Sequence, residues 1–230
     1  MFFTKTKLKG AYIIDIEKLE DERGFFARSF CKKEFEVHGL NPQFVQCNIS
    51  FNKVKGTLRG MHFQVAPHEE AKLVRCVSGS IYDVIIDLRP DSATYCQWIG
   101  VELSSPHSHL PSSISALPAA PSSQLTAQGF PPAAYCSPLT THVSQPAAQC
   151  SQLTAHFYTM LYIPQGFAHG FLTLEDNTEV FYQMSEFYSP DHARGFRWDD
   201  PAFGIKWPFE VKVISDRDRE YPDFSLLENG

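Results

Sequence analysis

No run of apolar residues in this chain is long enough to cross a bilayer, so no membrane-spanning helix is expected. The stretch from Met1 to Gly24 is lysine-rich and then acidic. It lacks the apolar run of a secretory signal, so a cytoplasmic location is expected. An excess of basic charge is also missing. There are 20 Lys and Arg against 26 Asp and Glu, a formal net charge of −6, which speaks against a nucleic-acid-binding basic face. A local cationic cluster for a small anion remains open. Close cysteine pairs are absent too. Cys31, Cys47, Cys76, Cys96, Cys136 and Cys150 show no CxxC spacing. Zinc sites and redox pairs need neighbouring thiolates, so these six read as inert thiols.

What is present is enough for a core: 230 residues, 43% apolar and 13% aromatic. The centre of the chain is residues 56–89. Thr57–Gln64, Ala71–Val77 and Ile81–Leu88 read as short strands, each rich in β-branched or apolar residues and bounded by Gly, Pro or Ser. Short strands alternating with tight turns predict a sandwich or barrel rather than a parallel α/β sheet. Arg59, His62 and Lys72 interrupt this apolar block. An unpaired charge is costly to bury, so three bases here predict a cavity that holds something anionic.

Before that block, residues 8–19 predict one or two strands, Phe25–Phe30 a strand, and Lys32–His38 a short helix that Gly39 ends in the left-handed conformation. Phe35 and Val37 give that helix too little apolar surface to belong to the core. Phe44–Ser50 and Gln97–Leu103 read as strands. Later, Met160–Pro164 reads as a strand, Gln165–Gly170 as a turn into Phe171–Leu174, Thr178–Tyr188 as an alternating strand, and Ser189–Pro208 as a loop. A last strand is expected after Val211.

Between these parts the composition changes. From about Ser104 to Thr159 the chain is mostly Ser, Pro, Ala, Thr and Gln. Ser123-Gln124-Leu125-Thr126 recurs as Ser137-Pro138-Leu139-Thr140 and again as Ser151-Gln152-Leu153-Thr154, a repeat of 14 residues. Such a stretch lacks the apolar density to offset its ordering entropy. It reads as a disordered insertion over 105–159 within one domain made of 1–104 and 160–230.

The candidate chemistry lies in His62, His169, Lys72, Tyr182 and Asp218, with Arg23 and Arg59. A base, a second proton donor and a nearby cation suit removal of a proton next to a carbonyl, with the cation stabilising the enolate oxygen. Arginines suit a phosphate through paired hydrogen bonds. Strict alternation, however, puts Arg59 and His62 on opposite faces of their strand. Both reach one cavity only if Gly60 marks a bulge or Arg59 sits at the strand's mouth. A functional metal is not expected. His62-Phe63-Gln64 stands where the metal-binding cupin barrels carry an HxH pair, although Pro164-Gln165-Gly166-Phe167-Ala168-His169 matches their later PxGxxH.

Gly56–Gln64, Ala71–Arg75, Asp83–Arg89, Ile163–Phe171 and Arg197–Pro201 closely resemble the dTDP-4-dehydrorhamnose 3,5-epimerases, nearly everything outside the insertion being covered. The resemblance implies an all-β, cupin-like jelly-roll barrel with few short helices, no cofactor, and a homodimer acting on a nucleotide sugar, with neither nucleic acid nor membrane as partner. It implies that His62 removes the proton α to the C4 ketone, that Asp218 holds His62, that Lys72 stabilises the enolate, and that Tyr182 returns a proton from the opposite face. It further implies that Arg59 and His169 contact the diphosphate and sugar. Arg23, Phe26, Gln46 and Asn48 would bind the nucleotide, some of them across the dimer, with Tyr188 an aromatic near the site.

Two departures stand out. Arg28 follows Gly-Phe-Phe-Ala where the family often has an acid, which leaves a single-centre epimerase, acting at C3 or C5 alone, as the alternative. The insertion is the other departure, and a non-catalytic nucleotide-sugar-binding protein is the further alternative it raises. Loop closure grows only logarithmically with length, so about 50 added residues cost only ~2 kcal/mol and a barrel survives them.

Overall fold

A computed structural model describes residues 1–106, 108 and 156–224. Among them are fourteen strands and two short helices, and no helix is long and apolar enough to cross a membrane. In chain order the strands are β1 Phe2–Lys5, β2 Tyr12–Asp15, β3 Lys18–Asp21, β4 Gly24–Ala27, β5 Gln46–Asn52, β6 Leu58–Gln64, β7 Lys72–Ser78, β8 Ser80–Asp87, β9 Trp98–Ser104, β10 His156–Phe157, β11 Met160–Ile163, β12 Phe167–Thr173, β13 Thr178–Met184 and β14 Ala193–Gly195. Helix α1 is Lys32–Val37 and α2 is Asp216–Arg219.

Two six-stranded sheets form the cupin-like barrel, ordered β1-β2-β11-β7-β13-β5 and β10-β9-β8-β12-β6-β14. Strands from the two sides of the expected insertion are interleaved within each sheet, so neither part completes a sheet alone. The inward-facing residues of both sheets form the central core: Val74, Cys76, Leu161 and Val180 from one, Ile81, Ile85, Leu103 and Phe171 from the other. Burial pushes the Cys76 thiol up to about 12, consistent with an inert thiol. The second sheet's outer face, with Met61, Val84, Ile86 and Ala168, is covered by Phe196, Phe203 and Phe224.

Several expectations need correction. The α1 helix does belong to the core. Phe35 is fully buried and meets Phe3, Phe30, Phe44 and Tyr162 edge-on, whereas Val37 is 82% exposed. One large aromatic ring supplies the contact area that counting apolar positions undervalued. The turn expected over Gln165–Gly170 is confined to Gln165 and Gly166; strand β12 already starts at Phe167 and is buried along its length. Its glycine reflects close packing rather than a bend: a Cβ on Gly170 would stand 2.6 Å from Met61 Sδ and 2.9 Å from the Arg59 carbonyl. The loop expected over Ser189–Pro208 contains β14, which pairs with β6, a match too short to show as alternation. After Val211 no strand forms among the described residues beyond a single parallel bridge, Thr57 to Val213. Ser215 instead caps α2, its side chain accepting from the Asp218 amide. Strand β1 was not anticipated.

Most of the stretch expected to be a disordered insertion lies outside the described residues. Its ends do not. Ser105 is fully buried, β10 pairs in parallel with the end of β9, and the buried Thr159 hydroxyl donates to Asp15 Oδ1 at 2.5 Å.

Candidate active site

A cavity of about 370 Å³ opens between the two sheets. Strand β6 supplies Arg59 and His62, β7 Lys72, β12 His169 and β13 Tyr182. The difficulty with Arg59 and His62 is resolved by a bulge. His62 pairs with His169 but Arg59 pairs with Phe171, so β6 carries one extra residue over this interval. Gly60 lies within it with φ +139, a conformation that L side chains rarely adopt. Arg59 and His62 thereby face one cavity.

Arg59, His62, Lys72 and His169 each meet a buried polar group. His62 Nε2 lies 2.7 Å from Asp218 Oδ1, and Asp218 is itself almost fully buried at the first turn of α2. The Gly60 amide donates to the other Asp218 oxygen at 3.3 Å. Burial works against ionisation of Asp218. The hydrogen bond and charge of His62, with the Gly60 and Ser215 contacts, outweigh it and hold the carboxyl below the usual aspartate range. Arg59 Nε donates to the buried Asn52 Oδ1 at 2.8 Å. Lys72 Nζ lies 2.7 Å from Glu70 Oε1, both side chains being more than nine-tenths buried. His169 Nε2 lies 2.5 Å from the fully buried Asp83 Oδ1.

Tyr182 is half-buried on the sheet that faces His62. Burial pushes its phenol above the ordinary tyrosine value; the Arg59 charge opposes this and the Glu70 charge adds to it. Tyr188 and Arg217 line the same cavity, and Arg217 Nε donates to the Tyr221 hydroxyl at 2.8 Å.

Gln46 and Asn48 do not line the cavity within this chain; they stand on β5 opposite Met184 and Tyr182, which do. Gln46 Oε1 accepts from the Tyr188 amide at 3.2 Å, and its amide donates to Asn48 at 3.0 Å. Arg23 and Phe26 are not brought to the cavity within this chain. They lie on the β3–β4 hairpin, a separate two-stranded sheet, with Arg23 paired to Asp21 and Phe26 72% exposed. Arg28 pairs with Glu34 at 2.7 Å. Sequence reasoning missed Asn52, Glu70, Asp83 and Arg217. Two of them left a signal: Asp83 is an acid inside an apolar strand, and Glu70 stands two residues before Lys72, the spacing that shares a strand face. Among the described residues, no three or more His, Cys, Asp or Glu side chains cluster so as to hold a metal ion.

The family model for dTDP-4-dehydrorhamnose 3,5-epimerase matches residues 5–110 and 145–225. The chain belongs to the dTDP-4-dehydrorhamnose 3,5-epimerase family. It is 36% identical over 222 residues to the epimerase of that name from Methanothermobacter thermautotrophicus, covering 95% of this chain and 92% of that relative. The Shigella flexneri epimerase is 34% identical, covering 93% of this chain and 91% of that relative. A crystal structure of the Bacillus anthracis epimerase, with TDP and PPi bound, superposes with a TM-score of 0.72 at 33% identity, covering 97% of this chain and 99% of that one. The family is one of isomerases, and the chain is an epimerase-type enzyme.

Proposed function

We propose that the enzyme inverts both C3 and C5 of dTDP-4-keto-6-deoxyglucose by removing and returning protons α to the C4 ketone. The observation that carries this reading is the placement of His62 and Tyr182 on the two facing sheets, lining one cavity. A sugar ring held between them presents one face to each. His62, oriented by Asp218, takes the proton from one face. Lys72 stabilises the charge that develops on the C4 oxygen. Tyr182 returns a proton to the other face, which inverts the carbon. The raised phenol pKa supports a donor that stays protonated at neutral pH. Arg59 and His169 contact the diphosphate and sugar. Gln46, Asn48 and Tyr188, linked by hydrogen bonds, bind the nucleotide.

The enzyme acts as a homodimer. The β3–β4 hairpin joins neither main sheet, and Leu19 and Phe26 on it are 63% and 72% exposed. A two-stranded hairpin is marginal alone. Ile49 and Phe51 on the edge strand β5 are exposed beside the cavity. These surfaces suit a second copy, with Arg23 and Phe26 reaching the other copy's nucleotide. The cytoplasm is the compartment proposed, where nucleotide sugars are made and used.

Incubating the protein with dTDP-4-keto-6-deoxyglucose in deuterated water and following the sugar protons by NMR tests this. Deuterium at both C3 and C5 is expected. Incorporation at one carbon makes it a single-centre epimerase, and none, with binding intact, overturns catalysis.

A further inference from the structure

Lys72 is an unusual residue to find on a core strand, and the chain around it is unusually fixed. The strand β7 begins at Lys72, paired with Ile163 of β11 on one side and Met184 of β13 on the other. Just before it, Ala71 exchanges two hydrogen bonds with Ser185: its amide donates to the Ser185 hydroxyl at 2.8 Å and its carbonyl accepts from the Ser185 amide at 2.9 Å. Two residues before Ala71, the Glu69 carbonyl accepts from the Gln165 side chain at 2.9 Å. Ala71 points away from the cavity into the cluster around Phe35, while Glu70 and Lys72 on either side of it both line the cavity. The backbone therefore sets the Glu70 carboxyl beside the Lys72 ammonium.

The Lys72 side chain is 9% exposed and Glu70 4%, with Oε1 at 2.7 Å from Nζ. A lysine side chain has four rotatable carbons and a point-like charge, so its ammonium has no fixed place without a partner. Only one Glu70 oxygen is used. Oε2 is buried and has no hydrogen-bond partner. The geometry thus calls for an acceptor at Oε1 and makes no use of the second oxygen.

We propose that Glu70 is a positioning residue for the epimerisation, fixing the Lys72 ammonium where the enolate oxygen forms. This rests on the reading of Lys72 as the group that stabilises that oxygen. A misplacement of about 1 Å at such a group costs on the order of 100-fold in rate. The part of Glu70 that matters is the acceptor position, not the charge. An amide at this position keeps an acceptor for Lys72 and turns its NH2 to the place where Oε2 already lacks a partner.

The test measures deuterium incorporation at C3 and C5, per folded enzyme, in Glu70→Ala, Glu70→Gln, Lys72→Ala and the Glu70→Ala/Lys72→Ala double variant. Glu70→Ala is expected to slow incorporation by about 10-fold to 100-fold. Glu70→Gln is expected to recover to within about 5-fold of the parent, since it restores the acceptor. On the Lys72→Ala background, Glu70→Ala is expected to add less than about 3-fold, because both act through one group. Losses that multiply in the double variant, or a Glu70→Ala enzyme within about 3-fold of the parent, overturn the proposal while leaving the reading of Lys72 in place. A Lys72→Ala enzyme that exchanges at the parent rate removes that reading, and the role of Glu70 with it. Should Glu70→Ala not fold, Glu70→Gln decides: a loss of 10-fold or more overturns the acceptor argument.

Discussion

Nε2 of His62 stands 2.7 Å from Oδ1 of Asp218 across 156 residues of sequence. The carboxylate fixes which ring nitrogen carries the proton and which way the ring faces. Asp218→Asn keeps the shape but supplies an amide where the imidazole meets an anion. Inversion is expected to fall by about 100-fold to 10,000-fold, with the fold retained. Turnover followed by NMR, alongside a thermal melt, checks both halves of this expectation.

Tyr182→Phe removes the proposed donor but not the base. Binding of dTDP is expected to hold, inversion to be lost, and deuterium exchange without inversion to persist at a slower rate. The phenol pKa is raised, so its proton is lost only as pH rises through a value above about 10. An alkaline loss of activity below that pH belongs to another group. A pH–rate series read by NMR, separating exchange from inversion, tells these apart; parent-like inversion in Tyr182→Phe would sink the assignment.

Gly60→Ala is expected to impair both stability and activity. An added Cβ would sit 2.5 Å from the Gly170 backbone Cα, and φ +139 is strained for alanine. The bulge that turns Arg59 and His62 to one side would be displaced. Denaturant midpoint and inversion rate are the measurements, and an unchanged midpoint would contradict the reading.

Phe35→Ala is expected to destabilise the fold by about 3–5 kcal/mol, the usual loss for a buried aromatic ring. Val37→Ala, two residues on but 82% exposed, is expected to change stability by no more than about 0.5 kcal/mol. Urea titrations of the two variants side by side give the comparison.

Acid stability depends on two buried aspartates. Burial opposes the ionised form of Asp87, but Arg89, Ser92 and Thr94 outweigh it and hold its carboxyl below the usual range, as the contacts of Asp218 do. A carboxyl depressed in the folded state contributes stability that is fully present above the unfolded value, about pH 4, and lost as pH falls through the folded value. Stability is therefore expected to drop below about pH 4. In Asp87→Asn that acid dependence should be shallower, measured as urea midpoint against pH.

Much of the architecture was legible in the sequence because its signals are local. Runs rich in β-branched and apolar residues, bounded by Gly, Pro or Ser, marked β6, β7 and β8 to within a residue at each end, and alternation marked β13, since a strand's period is two wherever one face is more buried than the other. The stretch Gly56–Arg89 carried the cationic cavity, because Arg59, His62 and Lys72 have no place in an ordinary core. Motif and spacing carried the family. Tertiary structure decided the rest. The conflict between Arg59 and His62 was visible from alternation, but its resolution depended on how β6 pairs with β12, a register that neither strand specifies alone. Strand β14 exists because β6 offers it unpaired backbone groups, and α1 joins the core because Phe35 meets the rings of the nearby Phe30 and Phe44 and of the distant Phe3 and Tyr162. Glu70, Asp83 and Asn52 meet Lys72, His169 and Arg59 from buried positions. Local sequence can place a charge on a strand, but only packing brings it the counter-charge or acceptor that makes its burial tolerable.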